Sequence, residues 1–217
     1  MEKAVLVIPA YNEEKTIGKV VAGAKAYAEV LVVDDCSSDR TAETAERAGA
    51  RVLRNEHNTG YEQTLNRGVA EAAKTADIIL MMDADGQHEP AEMRTMMDLI
   101  EKEGYDAVFG RRPWHQRTAE SLYAVFSKWK TGVEDPLCGF RAFRASAYKK
   151  IGFFDRIGST GTEFLFACKK NGLKVGQMDI TFYRRSDQPR FERGRRLRAE
   201  AKIVGSMLKV MRKYMFA

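Results

Sequence analysis

The sequence predicts an α/β fold, a single doubly wound, mostly parallel sheet followed by a C-terminal amphipathic helix. Three observations carry that prediction. Short runs rich in Val, Ile and Leu are apolar on both faces, as strands of a parallel sheet covered on two sides must be. Stretches of helical spacing with polar outer faces alternate with them. Acids and amides gather where the runs end, and ligands of such sheets bind outside the carboxyl ends of the strands.

The elements follow in order. AVLVIP (4–9) turns through AYNEE into helical spacing over 13–27. EVLVVDD (29–35) precedes a helix over 39–47, which Asp39 caps. ARVLRN (50–55) leads to a helix over 61–74, and DIILMMD (77–83) to one over 90–102. DAVFGR (106–111) closes the regular part. Beyond it the pattern loosens: RRPWHQRTAESLYAVFSKWKTG (111–132) is basic, aromatic and reads as mobile, and EDPLCGFRAFR (134–144) follows. A helix is expected over 163–170, a last strand within KVGQMDITFYRR (174–185) and a loop over RSDQPRFERGR (185–195). The final helix repeats Leu197, Ala201, Val204, Leu208, Met211 and Met215 every three or four residues among Arg and Lys. The organisation expected is one α/β domain, 1–192, and a basic helix, 193–217.

At 217 residues, 44% hydrophobic and 30% charged, the chain can bury a core as one domain. It has no apolar run of membrane-spanning length, of roughly 18 residues, and its start lacks a signal peptide's pattern. Cys36, Cys138 and Cys168 form no CxxC pair, so a reduced, cytoplasmic setting is expected. The net charge of +6 is uneven: from Phe182 onward eleven Lys or Arg face three acids, leaving the first 181 residues near −2. Such a tail suits an anionic partner or a solvated basic face.

The chemistry centres on LMMDADGQHEP (80–90). Residues two apart in an extended strand point the same way, so Asp83 and Asp85 can face one ligand, and Gln87 adds a neutral oxygen at the same spacing. Two carboxylates side by side repel unless a cation lies between them, and a hard divalent ion such as Mg2+ or Mn2+ is the usual one. Such an ion takes further ligands from substrate phosphates, which suggests a diphosphate-bearing substrate. In VVDDCSSDRT (32–41) the adjacent Asp34 and Asp35 point to opposite faces, one toward a ligand and the other into its loop. There is no GxxxxGK[ST] and no GxGxxG after the first strand, which argues against P-loop and dinucleotide-binding sites. His57, His88 and His115 lack ligand spacing and read as surface or loop residues. A nucleic-acid module would use the tail but leave Asp83 and Asp85 idle, so no nucleic-acid partner is expected.

IPAYNE (8–13), VDDCSSDRT (33–41), HNTGYEQTLNRG (57–68), DADGQHEP (83–90) and DPLCGFRAFR (135–144), in this order, resemble the family 2 glycosyltransferases of the A-type fold. The branch most resembled is that of dolichol-phosphate mannose synthase, which glycosylates a polyprenyl phosphate. The resemblance implies that Pro9, Tyr11, Glu13, Val33 and Asp35 line a nucleotide pocket. It implies that Asp83, Ala84 and Asp85 meet ribose and diphosphate, with Asp85 and Gln87 as metal ligands beside Asp83. Arg111, Arg141, and Arg184 or Arg185 would bind phosphates of donor or acceptor. Asp85, Arg111, Asp135 and Arg141 are thus expected to carry catalysis, with GDP-mannose or a UDP-sugar as donor. The chain departs from the family at Cys138, where serine is frequent, and in RRSDQPRFERG, which replaces an R-x-x-G-x-S loop.

The expected reaction is an inverting hexosyl transfer. A phosphate acceptor needs no general base; for a hydroxyl acceptor of a glycan or lipid, Glu134, Asp135 or Glu163 is the candidate base. A catalytically silent sugar-nucleotide binder would use the same pocket. The basic helix would lie on an anionic membrane, pack on the body, or meet a second subunit, either a homo-oligomer or a separate membrane protein. The cytoplasmic face of a membrane is therefore the expected place.

Overall fold

The structure, a computed structural model, describes residues 2–114, 117–184 and 193–214; within the last segment the side chains of 193–197 and 199 lie outside the description. The first half follows the expected alternation: β1 (Ala4–Ala10), α1 (Ile17–Ala24), β2 (Glu29–Asp34), α2 (Thr41–Ala48), β3 (Arg51–Arg54), α3 (Tyr61–Ala72), β4 (Ile78–Met81), α4 (Glu92–Glu103) and β5 (Ala107–Arg111). Then come α5 (Thr118–Thr131), β6 (Arg141–Arg144), α6 (Ala145–Ile151), α7 (Glu163–Lys170), β7 (Val175–Asp179) and α8 (Arg193–Tyr214).

The seven strands are ordered β3-β2-β1-β4-β6-β5-β7. All neighbours run parallel except β6, which is antiparallel to both β4 and β5. Alternate residues of β1 and β2 feed two cores. Val5, Val7, Leu31 and Val33 face α3 and the α5–α7 side, while Leu6, Ile8, Val30 and Val32 face α1, α2 and α4. Gly68 lets α3 settle onto the sheet, since a β-carbon there would lie 2.4 Å from Val7 Cγ1.

Three elements, α5, β6 and α6, are not among those the sequence predicts. β6 is four residues with arginine at both ends, and its strand character comes from pairing, Ile78 with Arg144 through Met81 with Arg141. The stretch read as mobile contains the 14-residue α5. α5 buries Glu120, Ser127 and Thr131 among its inward residues, so its apolar period does not mark its inner face.

α8 lies against α5 and α7. Lys202 pairs with Glu62 at 2.7 Å, Glu200 Oε2 accepts the Ala119 amide at 2.9 Å, and Lys213 reaches Glu163. The expected stripe is displaced by one residue. Ile203, Met207 and Val210 are buried, whereas Ala201 and Leu208 are exposed and Val204 and Met211 are half-buried. Two adjacent apolar rows run along this helix, and docking selects the first. Leu197 and Met215 fall outside the described side chains. No described helix is long and apolar enough to cross a membrane.

Candidate active site

A cleft of about 500 Å³ opens at the carboxyl ends of β1, β2 and β4. Pro9, Ala10, Tyr11 and Glu13 come from the first strand and its turn, Asp35 from the second, and Asp83, Ala84 and Asp85 from the fourth. Asn58, Gly60, Tyr61 and Thr64 close the remaining side at the start of α3. The first two turns are tied to each other: Asn12 donates its amide to Ser37 Oγ (2.9 Å) and accepts from Ser38 N (2.8 Å). Asn12 makes this contact at φ 54°, a region that asparagine tolerates better than most residues.

Asp35 reaches the cleft, as one of the two adjacent acids was expected to. Its Oδ1 accepts from Asn55 Nδ2 (2.7 Å), Thr59 N (2.8 Å) and Thr59 Oγ1 (3.0 Å), and its Oδ2 from Gly60 N (2.9 Å). Burial opposes its ionisation, but these donors outweigh burial and hold the carboxyl below its ordinary value. Asp34 is fully buried and faces its own loop, accepting from Ser37 N and pairing with Arg54 at 3.2 Å.

Asp83 forms the floor. Tyr61 Oη donates to its Oδ1 at 3.1 Å, and His88 Nε2 lies 3.5 Å from its Oδ2. Burial works against the Asp83 charge, yet His88 and Tyr61 keep its carboxyl below the ordinary range. Removal from water, reinforced by Asp83, pushes the Tyr61 hydroxyl well up, so it remains a donor. Gly139, two residues before β6, lies against the same carboxylate. Asp85 turns one oxygen to the Gln87 amide at 3.1 Å.

These acids fit a hard cation. Among the described residues no group of three or more His, Cys, Asp or Glu could hold a metal unaided. Two carboxylates, with phosphate and water completing the shell, suit Mg2+ or Mn2+. Gln87 does not line the cleft, and its Nε2 donates to Tyr183 O at 2.8 Å, pinning the segment after β7.

Several expected residues lie elsewhere. Val33 is core, fully buried in the layer beneath α3. Arg111 lines a second cleft, also about 500 Å³, with Arg112, Pro113, Trp114, Glu134, Asp179 and Ile180. There Arg111 Nη1 donates to Glu134 (3.0 Å), and its other nitrogens grip Asp179 (Nη2 at 2.9 Å). Arg141 is buried and does not reach either cleft. Nε and Nη2 donate to Cys138 O (3.1 and 2.6 Å) and Nη1 to Gly161 O (2.8 Å), so it ties the β6 entry to the loop before α7. Asp135 is buried against Arg112, which also meets Glu120 at 3.1 Å. Glu163 is fully buried, accepting from Arg156 N at 2.6 Å and pairing with Lys213. Arg184 is exposed, and Arg185 with the loop after it is outside the described residues.

Tyr61, Asn58, Gly60 and Thr64 lie within HNTGYEQTLNRG (57–68), where the sequence alone assigns them no role. The signal was a loop NTG directly before a helix, with Gly60 at φ 85°. His88 is no surface histidine: it is buried between Phe140 and Phe182, each 5.3 Å away.

Residues 5–152 match the family model described as Glycosyl transferase family 2. Glycosyltransferase AglJ of Haloferax volcanii is 31% identical, matching 84% of this chain and 63% of its own length. A dolichyl-phosphate hexose transferase of the same organism is 28% identical, with 86% of each chain covered. Among solved structures, glucosyl-3-phosphoglycerate synthase of Mycobacterium tuberculosis superposes with a TM-score of 0.78 at 22% identity, over 96% of this chain and 80% of that one; this is a likeness of fold.

Proposed function

The chain belongs to glycosyl transferase family 2, and from that premise we propose that it moves a hexose of mannose or glucose type from a GDP- or UDP-linked donor to a polyprenyl (dolichyl) phosphate, with inversion and with Mg2+ or Mn2+. Membership makes it a glycosyltransferase. The observation that carries the finer reading is the cleft that gathers Asp35, Asp83 and Asp85 from separate strand ends. In this reading residues 1–192 form the catalytic domain and 193–217 its basic extension.

Asp35, kept ionised by the Thr59–Gly60 amides, accepts hydrogen bonds from the nucleoside. Asp83 and Asp85 would hold the cation, which would offset the charge growing on the departing diphosphate. Tyr61 and His88 fix the Asp83 carboxylate so that its geometry is set before the donor arrives. The acceptor enters by the second cleft, where its phosphate competes with Asp179 for Arg111.

Two findings support a phosphate acceptor. Asp135 and Glu163 are buried in ion pairs, and Glu134, at the second cleft, is held below its ordinary value by Lys128 and Arg111, which suits a route without a protein base, since a phosphate is already anionic near neutral pH. A relative named dolichyl-phosphate hexose transferase matches most of both chains. Such an acceptor places the enzyme at the cytoplasmic face of a membrane.

The test is incubation with Mg2+ or Mn2+ and a panel of labelled sugar nucleotides, with and without polyprenyl phosphate. Label passing into the organic phase only when polyprenyl phosphate is present is the expected result. Transfer to a hydroxyl-bearing glycan or lipid instead would overturn the acceptor. Calorimetry showing no divalent-dependent affinity for any sugar nucleotide would overturn the donor reading as well.

A further inference from the structure

Helix α5 is inverted in character. Its inward side holds Glu120, Ser127 and Thr131 beside Tyr123 and Ala124. Its outward side holds Leu122, Val125 and Trp129, which are 56%, 70% and 68% exposed. Spaced three and four apart, these side chains form one stripe along the helix. Single exposed apolar residues are ordinary, but an aligned stripe ending in tryptophan marks a contact surface.

The exposed charges of α5 itself are basic. Lys130 lies over the Trp129 ring at 4.2 Å, and exposed Lys128 stands beside it, reaching Glu134 at 2.8 Å. The single acid of α5, Glu120, is buried under Arg112 and Arg117. Neighbouring α8 adds exposed Leu208 and Arg212, and its acid Glu200 is turned to the Ala119 amide.

We propose that the outer face of α5, flanked by α8, docks on the surface of an anionic lipid bilayer. An interfacial helix sinks apolar side chains to the headgroup boundary, keeps tryptophan at that level and meets lipid phosphates with lysine. The docked side of α8 cannot serve, because Ile203, Met207 and Val210 are already covered by the body. A second copy of the chain is the rival occupant, but lysine is depleted from protein interfaces, and here Lys128 and Lys130 border the tryptophan. The inference goes beyond the transfer reading, and its test uses neither donor nor acceptor, so either can fail alone.

The experiment is co-sedimentation of the full chain with phosphatidylcholine vesicles, with and without phosphatidylglycerol. Binding to the anionic vesicles is expected, weakened by salt. A Val125→Glu/Trp129→Glu variant should lose it by roughly ten-fold or more. A Lys130→Glu/Arg212→Glu variant, which leaves the stripe intact, should bind less tightly and with a shallower salt dependence. Circular dichroism checks that both fold. Absence of binding, equal binding by the stripe variant, or equal binding to neutral vesicles overturns the proposal. So does a lipid-free dimer that the stripe variant dissociates.

Discussion

Gly139 lies so close to Asp83 that a β-carbon built on it would sit 2.1 Å from Asp83 Oδ2. The obstructing group is the end of a side chain, which can rotate away. Gly139→Ala should therefore keep the fold, costing about 1–2 kcal/mol in urea denaturation. Activity should fall by roughly 100-fold, because the carboxylate leaves its position. Full activity in this variant would remove Asp83 from the site.

Tyr61→Phe deletes the donor to Asp83 Oδ1 while keeping the ring. Losing such an outer partner should weaken divalent-dependent donor binding by about ten-fold. Titration with Mn2+ at fixed sugar nucleotide measures it. An unchanged metal midpoint would sever Tyr61 from the cation.

Asp135→Asn takes one charge from a buried pair and leaves Arg112 with Glu120. A stability loss of about 2–3 kcal/mol is expected. The pH–rate profile should keep its shape. Collapse of turnover with recovery at high pH would instead make Asp135 the base and favour a hydroxyl acceptor.

The folded Asp35 carboxyl titrates below its unfolded value, so its contribution favours folding at neutral pH. That contribution is complete above the unfolded value of about 3.9 and fades as pH falls through the lower, folded one. The wild type should therefore lose stability in acid, releasing the Thr59–Gly60 loop. In Asp35→Asn this part of the dependence should vanish, which denaturation at neutral and acid pH compares directly.

Much of the first cleft was legible because it is local. β1, β2 and β4 are apolar runs whose ends carry acids, so the order of residues already places Asp35, Asp83 and Asp85 at one edge. The other side was not legible, because its contacts run to backbone carbonyls and to acids that no motif pairs with them. Arg141 looked like a phosphate ligand, but its partners, Cys138 O and Gly161 O, are backbone carbonyls that no motif displays. Arg112 and Arg111 are adjacent in the chain, yet one holds buried Asp135 and the other surface Asp179. Composition could not separate them. The helical spacing of α8 was visible, but two apolar rows competed and docking alone chose between them.

The reversed strand β6 enters the sheet from Gly139, at the foot of Asp83, and passes between β4 and β5. The half of the sheet bearing the second cleft is therefore threaded through the first. Exchanging that half for a homologue's, by recombination or by design, would redraw the surface beneath the carboxylate pair. If the acceptor enters by the second cleft as proposed, new preferences are more safely sought by point changes around Arg111 and Trp114 than by swapping segments.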